Sequence, residues 1–292
     1  MSNNLAYKYK SASVLIKIIV INIAVFLVFY LGSFILNIPE TTTKSWFVLP
    51  TDLSTFILQP WSIITYIFLH SGFWHIFWNM LILYYFGNYV ENLFRGKRLL
   101  TIFLLGGIAG GLLYMLAYNL FPAFTNEGMS GRLQGASAAV YAVMVFIATY
   151  SPNSEMRIFR WNIKLWHIAL FFVLKDLISL PASGNAGGLI AHMGGALFGY
   201  LYATQLTKGN DIGAWFDRLM DRVSNMFSTR KKATFKKVHK NKTTYQSSGK
   251  QRTADGRQQQ IDAILDKISK SGYESLSKKE KDFLFKAGND TP

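Results

Sequence analysis

"QGASAAVYAVMVFIATY", residues 134–150, opens as a run of very small residues and continues as an apolar helix. Ser137 stands among Gly135, Ala136, Ala138 and Ala139, where a lipid-facing helix normally carries leucine. Small residues at this density let a neighbouring helix backbone approach closely. A serine near a helix N-terminus also meets the partial positive charge of that end, which favours negative charge developing nearby. The stretch therefore reads either as a packing seam or as a serine presented where helices cross. Hydrolases with a G-x-S-x-G elbow place their serine on a strand-to-helix turn, and no strand is read ahead of Ser137.

Around this stretch the chain is half hydrophobic, 15% aromatic and only 16% charged, well below the usual quarter of charged residues. The apolar residues fall into six blocks, roughly 13–36, 74–93, 99–121, 135–151, 164–181 and 187–206. Each approaches the ~20 residues that span a bilayer as a helix, and none has the regular polar face of a soluble bundle helix. The expected fold is an all-α, polytopic membrane protein with a six-transmembrane-helix bundle over residues 1–206. The first block is too long for a signal h-region and lacks a small-x-small cleavage site after it, so it is taken as a retained anchor. Lys8 and Lys10, Arg95, Lys97 and Arg98, and Arg157, Arg160 and Lys164 fall on one side of the spans. Lys44 and Arg132 are the basic residues of the loops opposite. By the positive-inside rule both termini are cytoplasmic, in a plasma (inner) membrane. The net charge of +15 is thereby explained with membrane lipids and without nucleic acid.

Residues 207–228 carry an apolar stripe (Ile212, Trp215, Phe216, Leu219, Val223, Phe227) at helical spacing and read as an amphipathic interfacial helix. Residues 229–259 are basic, polar and poor in aliphatics, the composition of a disordered linker. In residues 260–292, Ile261, Ile264, Leu265 and Ile268 repeat at helical spacing, and "SKKE" (Ser277 to Glu280) has capping-box form. A small helical hairpin is expected, too short for a robust core of its own and so docking on an unknown partner.

With no cysteine, disulfide and thiol chemistry are excluded. No cofactor is called for and no metal: His70 and His75 are five apart, and no H-E-x-x-H helix occurs. Polar groups inside the spans are expensive and point to function. His75 and Asn79 are four apart, hence on one helical face; His70 reads as a structural hydrogen-bonding residue. His192 lies in a span whose Gly188, Gly195 and Gly199 favour close helix contact, Gly195 and Gly199 as a G-x-x-x-G pair. Together these supply a nucleophile, a base and two hydrogen-bond donors.

At "HIFWN", "GASA" and "AHMGG", in that order and in the second, fourth and sixth blocks, the chain resembles the rhomboid family of intramembrane serine proteases over roughly residues 12–206. The resemblance implies Ser137 as nucleophile, His192 as general base and then acid, and His75 and Asn79 with the Ser137 backbone N–H as oxyanion hole. Tyr141 resembles the family tyrosine that packs on the catalytic histidine, and Gly135, Gly195 and Gly199 support the site. A Ser-His dyad is implied, although the residues themselves leave Asp176 open as a third member. Lys175 and Asp176 could pair, face the cavity or belong to a lateral gate. Glu91 with Gly96 resembles a structural turn of the family. Two positions depart from the pattern: Ala138 stands where many members have glycine, and the 37–60 loop lacks a Trp-Arg dipeptide. The substrates implied are transmembrane or membrane-anchored proteins. A catalytically inactive scaffold that binds membrane clients is the alternative, and a small transporter would leave the serine and histidine without purpose.

Overall fold

The computed structural model describes residues 5–121, 124, 131–227 and 252–289. The chain divides into two compact units, Met1–Arg230 and Lys231–Pro292. In the first, helices Val14–Leu36, Phe73–Leu93, Gly96–Leu120, Ser137–Tyr150, Leu165–Ser179 and Ala186–Thr207 form a bundle.

Among the described residues, three helical stretches are long and apolar enough to cross a membrane: Val14–Leu36, Gly96–Leu120 and Leu165–Ala182. The expectation of six spans is met in three by this measure, for physical reasons that differ between the rest. Ser137–Tyr150 has 14 residues, about 21 Å at ~1.5 Å per residue, against a hydrocarbon core of about 30 Å. Phe73–Leu93 and Ala186–Thr207 have the length, but the first contains His75, Asn79, Asn88 and Glu91, and the second is diluted by glycine, Thr204 and Gln205.

Both ends of the first long helix have a local cause. Ser13 caps Val14–Leu36 by accepting from the Ile16 N–H at 3.3 Å, and Asn37, at φ 52°, turns the chain out of it. The Val14 N–H, one of the donors a helix start leaves open, donates to Glu91 Oε1 at 2.8 Å. A Cβ on Gly96 would lie 2.6 Å from that same oxygen, so Glu91 and Gly96 act as one structural turn.

The bundle is not wholly α. Leu49–Pro50 pairs antiparallel with Arg132–Leu133, and Glu155–Ile158 pairs with Trp161–Lys164 about a turn at Phe159, φ 53°. The first pair puts a short strand ahead of Ser137, separated from it by Gln134, Gly135 and Ala136, where none was read; two residues are too few to leave an alternating pattern. Trp46 of the 37–60 loop stacks on Trp61, just past its end, at 6.3 Å, and the Trp61 indole N–H donates to the Trp46 carbonyl at 2.8 Å. Buried Lys44 is satisfied by an ion pair with Glu40 and by the His70 carbonyl at 2.8 Å.

The amphipathic segment is the helix Ala214–Phe227, tied to the start of Gly96–Leu120. Lys97 pairs with Asp221 at 2.6 Å, Thr101 bonds Asp217, and Arg98 bridges Tyr202 (2.6 Å) and Asp211 (2.7 Å).

In the second unit, Arg252–Ser271 and Lys278–Asn289 form the hairpin. Its first helix starts inside the segment assigned to linker; the rest of that segment, to residue 251, lies outside the described residues. Gly272, at φ 76°, permits the turn. The Ser277 N–H donates to Glu280 at 2.7 Å and the Glu280 N–H to Ser277 Oγ at 3.4 Å, both halves of the capping box.

Candidate active site

Ser137 is the first residue of its helix. Leu133 is held by the short strand pair, and the Gly135 N–H donates to the Tyr66 carbonyl at 2.9 Å. Gly135 has φ +135°, a conformation L side chains rarely adopt, and a Cβ there would lie 2.8 Å from His75 Nε2 and 3.6 Å from Ser137 Oγ. Glycine is thus required twice, for the backbone and for the imidazole beside it.

The serine helix meets its neighbours through missing side chains. A Cβ on Gly195 would overlap the Ala138 carbonyl, and one on Gly199 the Ala142 carbonyl. The G-x-x-x-G pair therefore packs directly on the serine helix, one turn at a time, which is how the His192 helix comes so near. Opposite, a Cβ on Gly110 would lie 2.5 Å from the Ala138 methyl. Gly110 supplies the room that Ala138 takes.

Ser137, His192, His75, Asn79, Tyr141 and Asp176 line one cavity of about 820 Å³, with Trp74, Gln134 and Lys175 also on its wall. The Ser71 N–H donates to His75 Nδ1 at 3.3 Å. A nitrogen that accepts carries no proton in the neutral ring, so Nε2, on the Gly135 side, is the donor. Buried Asn79 gives one amide N–H to the His75 carbonyl at 2.8 Å and keeps its second. His70 packs edge-on against His75 at 5.1 Å, and its backbone carbonyl takes the Lys44 bond. The expected role as a hydrogen-bonding residue is met by its backbone alone: among the described residues the buried ring has no hydrogen-bond partner at either nitrogen, and it packs behind His75.

Across the cavity the Tyr141 ring stacks on His192 at 4.3 Å and 16°. The structure adds a link that the sequence left open. His192 Nδ1 lies 2.6 Å from Asp176 Oδ2, the Tyr141 hydroxyl donates to that oxygen at 2.5 Å, and Lys175 Nζ lies 3.0 Å from Oδ1. The signal for Asp176 in the sequence is a carboxylate in an apolar helix, adjacent to a lysine that offered one of several possible partners. Among the described residues no group of three or more His, Asp or Glu side chains could hold a metal ion.

Comparison with known proteins gives a family and a second, shorter match. The family model described as Rhomboid domain matches residues 58–209, and a family of unknown function, DUF6576, matches residues 251–286. The chain is 26% identical over 157 residues to RHOMBOID-like protein 12, mitochondrial, of Arabidopsis thaliana, covering 51% of this chain and 47% of that one. It is 24% identical over 155 residues to Rhomboid protein 1, mitochondrial, of Saccharomyces cerevisiae, covering 52% and 44%. To Rhomboid protease GluP of Bacillus subtilis it is 29% identical over 130 residues, covering 44% and 24%. The match spans about half the length of the mitochondrial relatives and a quarter of the Bacillus one.

Proposed function

The chain belongs to the rhomboid family, and from that premise we propose that it is an intramembrane serine endopeptidase acting on transmembrane or membrane-anchored proteins. One observation carries this: a helix-start serine, an imidazole on a separate helix and two further donors face a single cavity. The Bacillus relative bears the name of a protease.

In this reading a substrate segment unwinds locally at the cavity, helped by residues such as Gly and Pro, since a helical peptide bond is shielded. Ser137 attacks the carbonyl carbon as His192 takes its proton. The oxyanion develops beside the His75 Nε2–H, the free Asn79 N–H and the Ser137 backbone N–H. His192 returns the proton to the departing amine, and water, deprotonated by His192, hydrolyses the acyl-enzyme. The distribution of Lys and Arg supports an orientation with both termini cytoplasmic and all six bundle helices in the membrane region.

The test is reaction of the full chain, in detergent and in lipid, with a fluorophosphonate serine probe. Wild type should label, and Ser137→Ala and His192→Ala, folded, should not. A folded wild type that stays unlabelled in both media would turn the weight to an inactive, client-binding scaffold.

A further inference from the structure

Asp176 has a geometry that a surface ion pair does not explain. Its side chain is 1% exposed while that of Lys175, its neighbour in sequence, is 56% exposed. A carboxylate whose only task was to neutralise that lysine had no need to leave the surface, and burial of an ion is expensive unless it is fully bonded. Lys175 occupies only Oδ1; Oδ2 receives both Tyr141 and His192. The helix Leu165–Ser179 buries just Leu165, Ala169 and Asp176, so this contact is among the few by which it is fixed to the bundle.

We infer that Asp176 is a positioning residue that completes a Ser137–His192–Asp176 relay, holding the imidazole with its proton on Nδ1 and its lone pair on Nε2. The inference rests on the proteolytic reading given above and deepens it. An ionised carboxylate can only accept, so a neutral imidazole facing it must donate from Nδ1. Nε2 is then the free base. When the Ser137 proton arrives there, the imidazolium forms against a fixed negative charge and needs no reorganisation. Tyr141 serves the same end twice: its ring stacks on the imidazole, and its hydroxyl pins the oxygen that the imidazole addresses. Tyr141 is one turn from Ser137 on the same helix, so nucleophile, base and carboxylate, from three helices, share one frame. Such outer partners fix tautomer and ring orientation and cost heavily when lost.

The experiment is ¹⁵N solid-state NMR of the histidine-labelled full chain in lipid bilayers, with His192→Ala for assignment, alongside fluorophosphonate labelling rates. In wild type His192 should show a protonated Nδ1 and a bare Nε2. Asp176→Asn keeps the shape but lets an amide N–H face Nδ1; the tautomer signature should be lost and labelling slowed by about 100- to 10,000-fold. Tyr141→Phe keeps the carboxylate and should slow labelling by about tenfold. Should Asp176→Asn fail to fold, the wild-type tautomer and Tyr141→Phe still decide: a proton on Nε2, or a Tyr141→Phe rate equal to wild type, overturns the relay. A labelled wild type with equally fast, folded Asp176→Asn overturns it while leaving the proteolytic reading intact. A wild type that takes no probe overturns that reading, and the catalytic purpose of the relay with it.

Discussion

Where the Ala186–Thr207 helix crosses the serine helix, Gly195 and Gly199 set backbone against the carbonyls of Ala138 and Ala142. The hairpin of residues 252–289 joins its helices differently, through Lys267 to Glu280 at 3.0 Å, the same Glu280 that closes the reciprocal cap with Ser277 at the start of its own helix. The first contact depends on atoms that are missing, has no slack, and transmits any added volume to the site. The second adds to buried Ile264 and Leu276 an ion pair of long side chains in solvent, where such pairs are weak and adjustable. The same chain thus contains one region that should respond steeply to single methyl groups and one that should respond shallowly to whole charges.

The steepest response is expected of the groups facing the developing charge. Asn79→Ala removes a donor from the cavity and should slow labelling and cleavage by about 100- to 1,000-fold, or roughly 2.7–4 kcal/mol, with the folded fraction retained. Unchanged turnover in a folded variant would remove Asn79 from the oxyanion assignment. Next comes Gly195→Ala, one methyl against the Ala138 carbonyl, expected to cost about 1–3 kcal/mol of stability as an overpacked contact. Thermal unfolding in a fixed detergent measures it. A neutral Gly195→Ala would mean the seam has slack, and the contrast with the hairpin would lose its basis.

Much of the bundle was legible because membrane helices announce themselves as blocks, and the site because it breaks them: Ser137 among alanines, His192 beside Gly195, Asn79 one turn from His75. The family match covers those residues and five of the six bundle helices, leaving Val14–Leu36 outside it. What stayed hidden lies in pairings between distant segments. Arg132–Leu133 is a strand only because Leu49–Pro50 lies alongside it, and two residues have no periodicity to detect. Asp176 was visible as a charge in an apolar helix, yet its adjacent lysine offered a partner in sequence that competed with the true ones in space. Gly110 offered no clue that it makes room for Ala138. In the hairpin, by contrast, Ser277 and Glu280 were readable as a cap outright, because the interaction is local.

The shallow end of the comparison is tested in the hairpin. Ser277→Ala removes a cap worth about 1 kcal/mol and should speed amide exchange along Lys278–Asn289 by about fivefold, leaving the bundle unaffected. Smaller still is the response to acid. The Ser277 backbone N–H, followed by Lys267, holds the Glu280 carboxyl down from its ordinary 4.5 to about 2. A carboxyl lowered on folding favours the folded state above its unfolded value and ceases to do so as protons bind. The contribution is therefore complete above about pH 4.5 and fades as the pH falls towards 2. Exchange in the full chain, corrected for its intrinsic pH dependence, should show protection of this helix declining across that window, and Glu280→Gln should flatten the decline. Because the backbone bond leads and the lysine follows, added salt should remove only the smaller part. A decline that persists in Glu280→Gln, or vanishes with salt, would show the hairpin to be held by its surface charges and not by its cap.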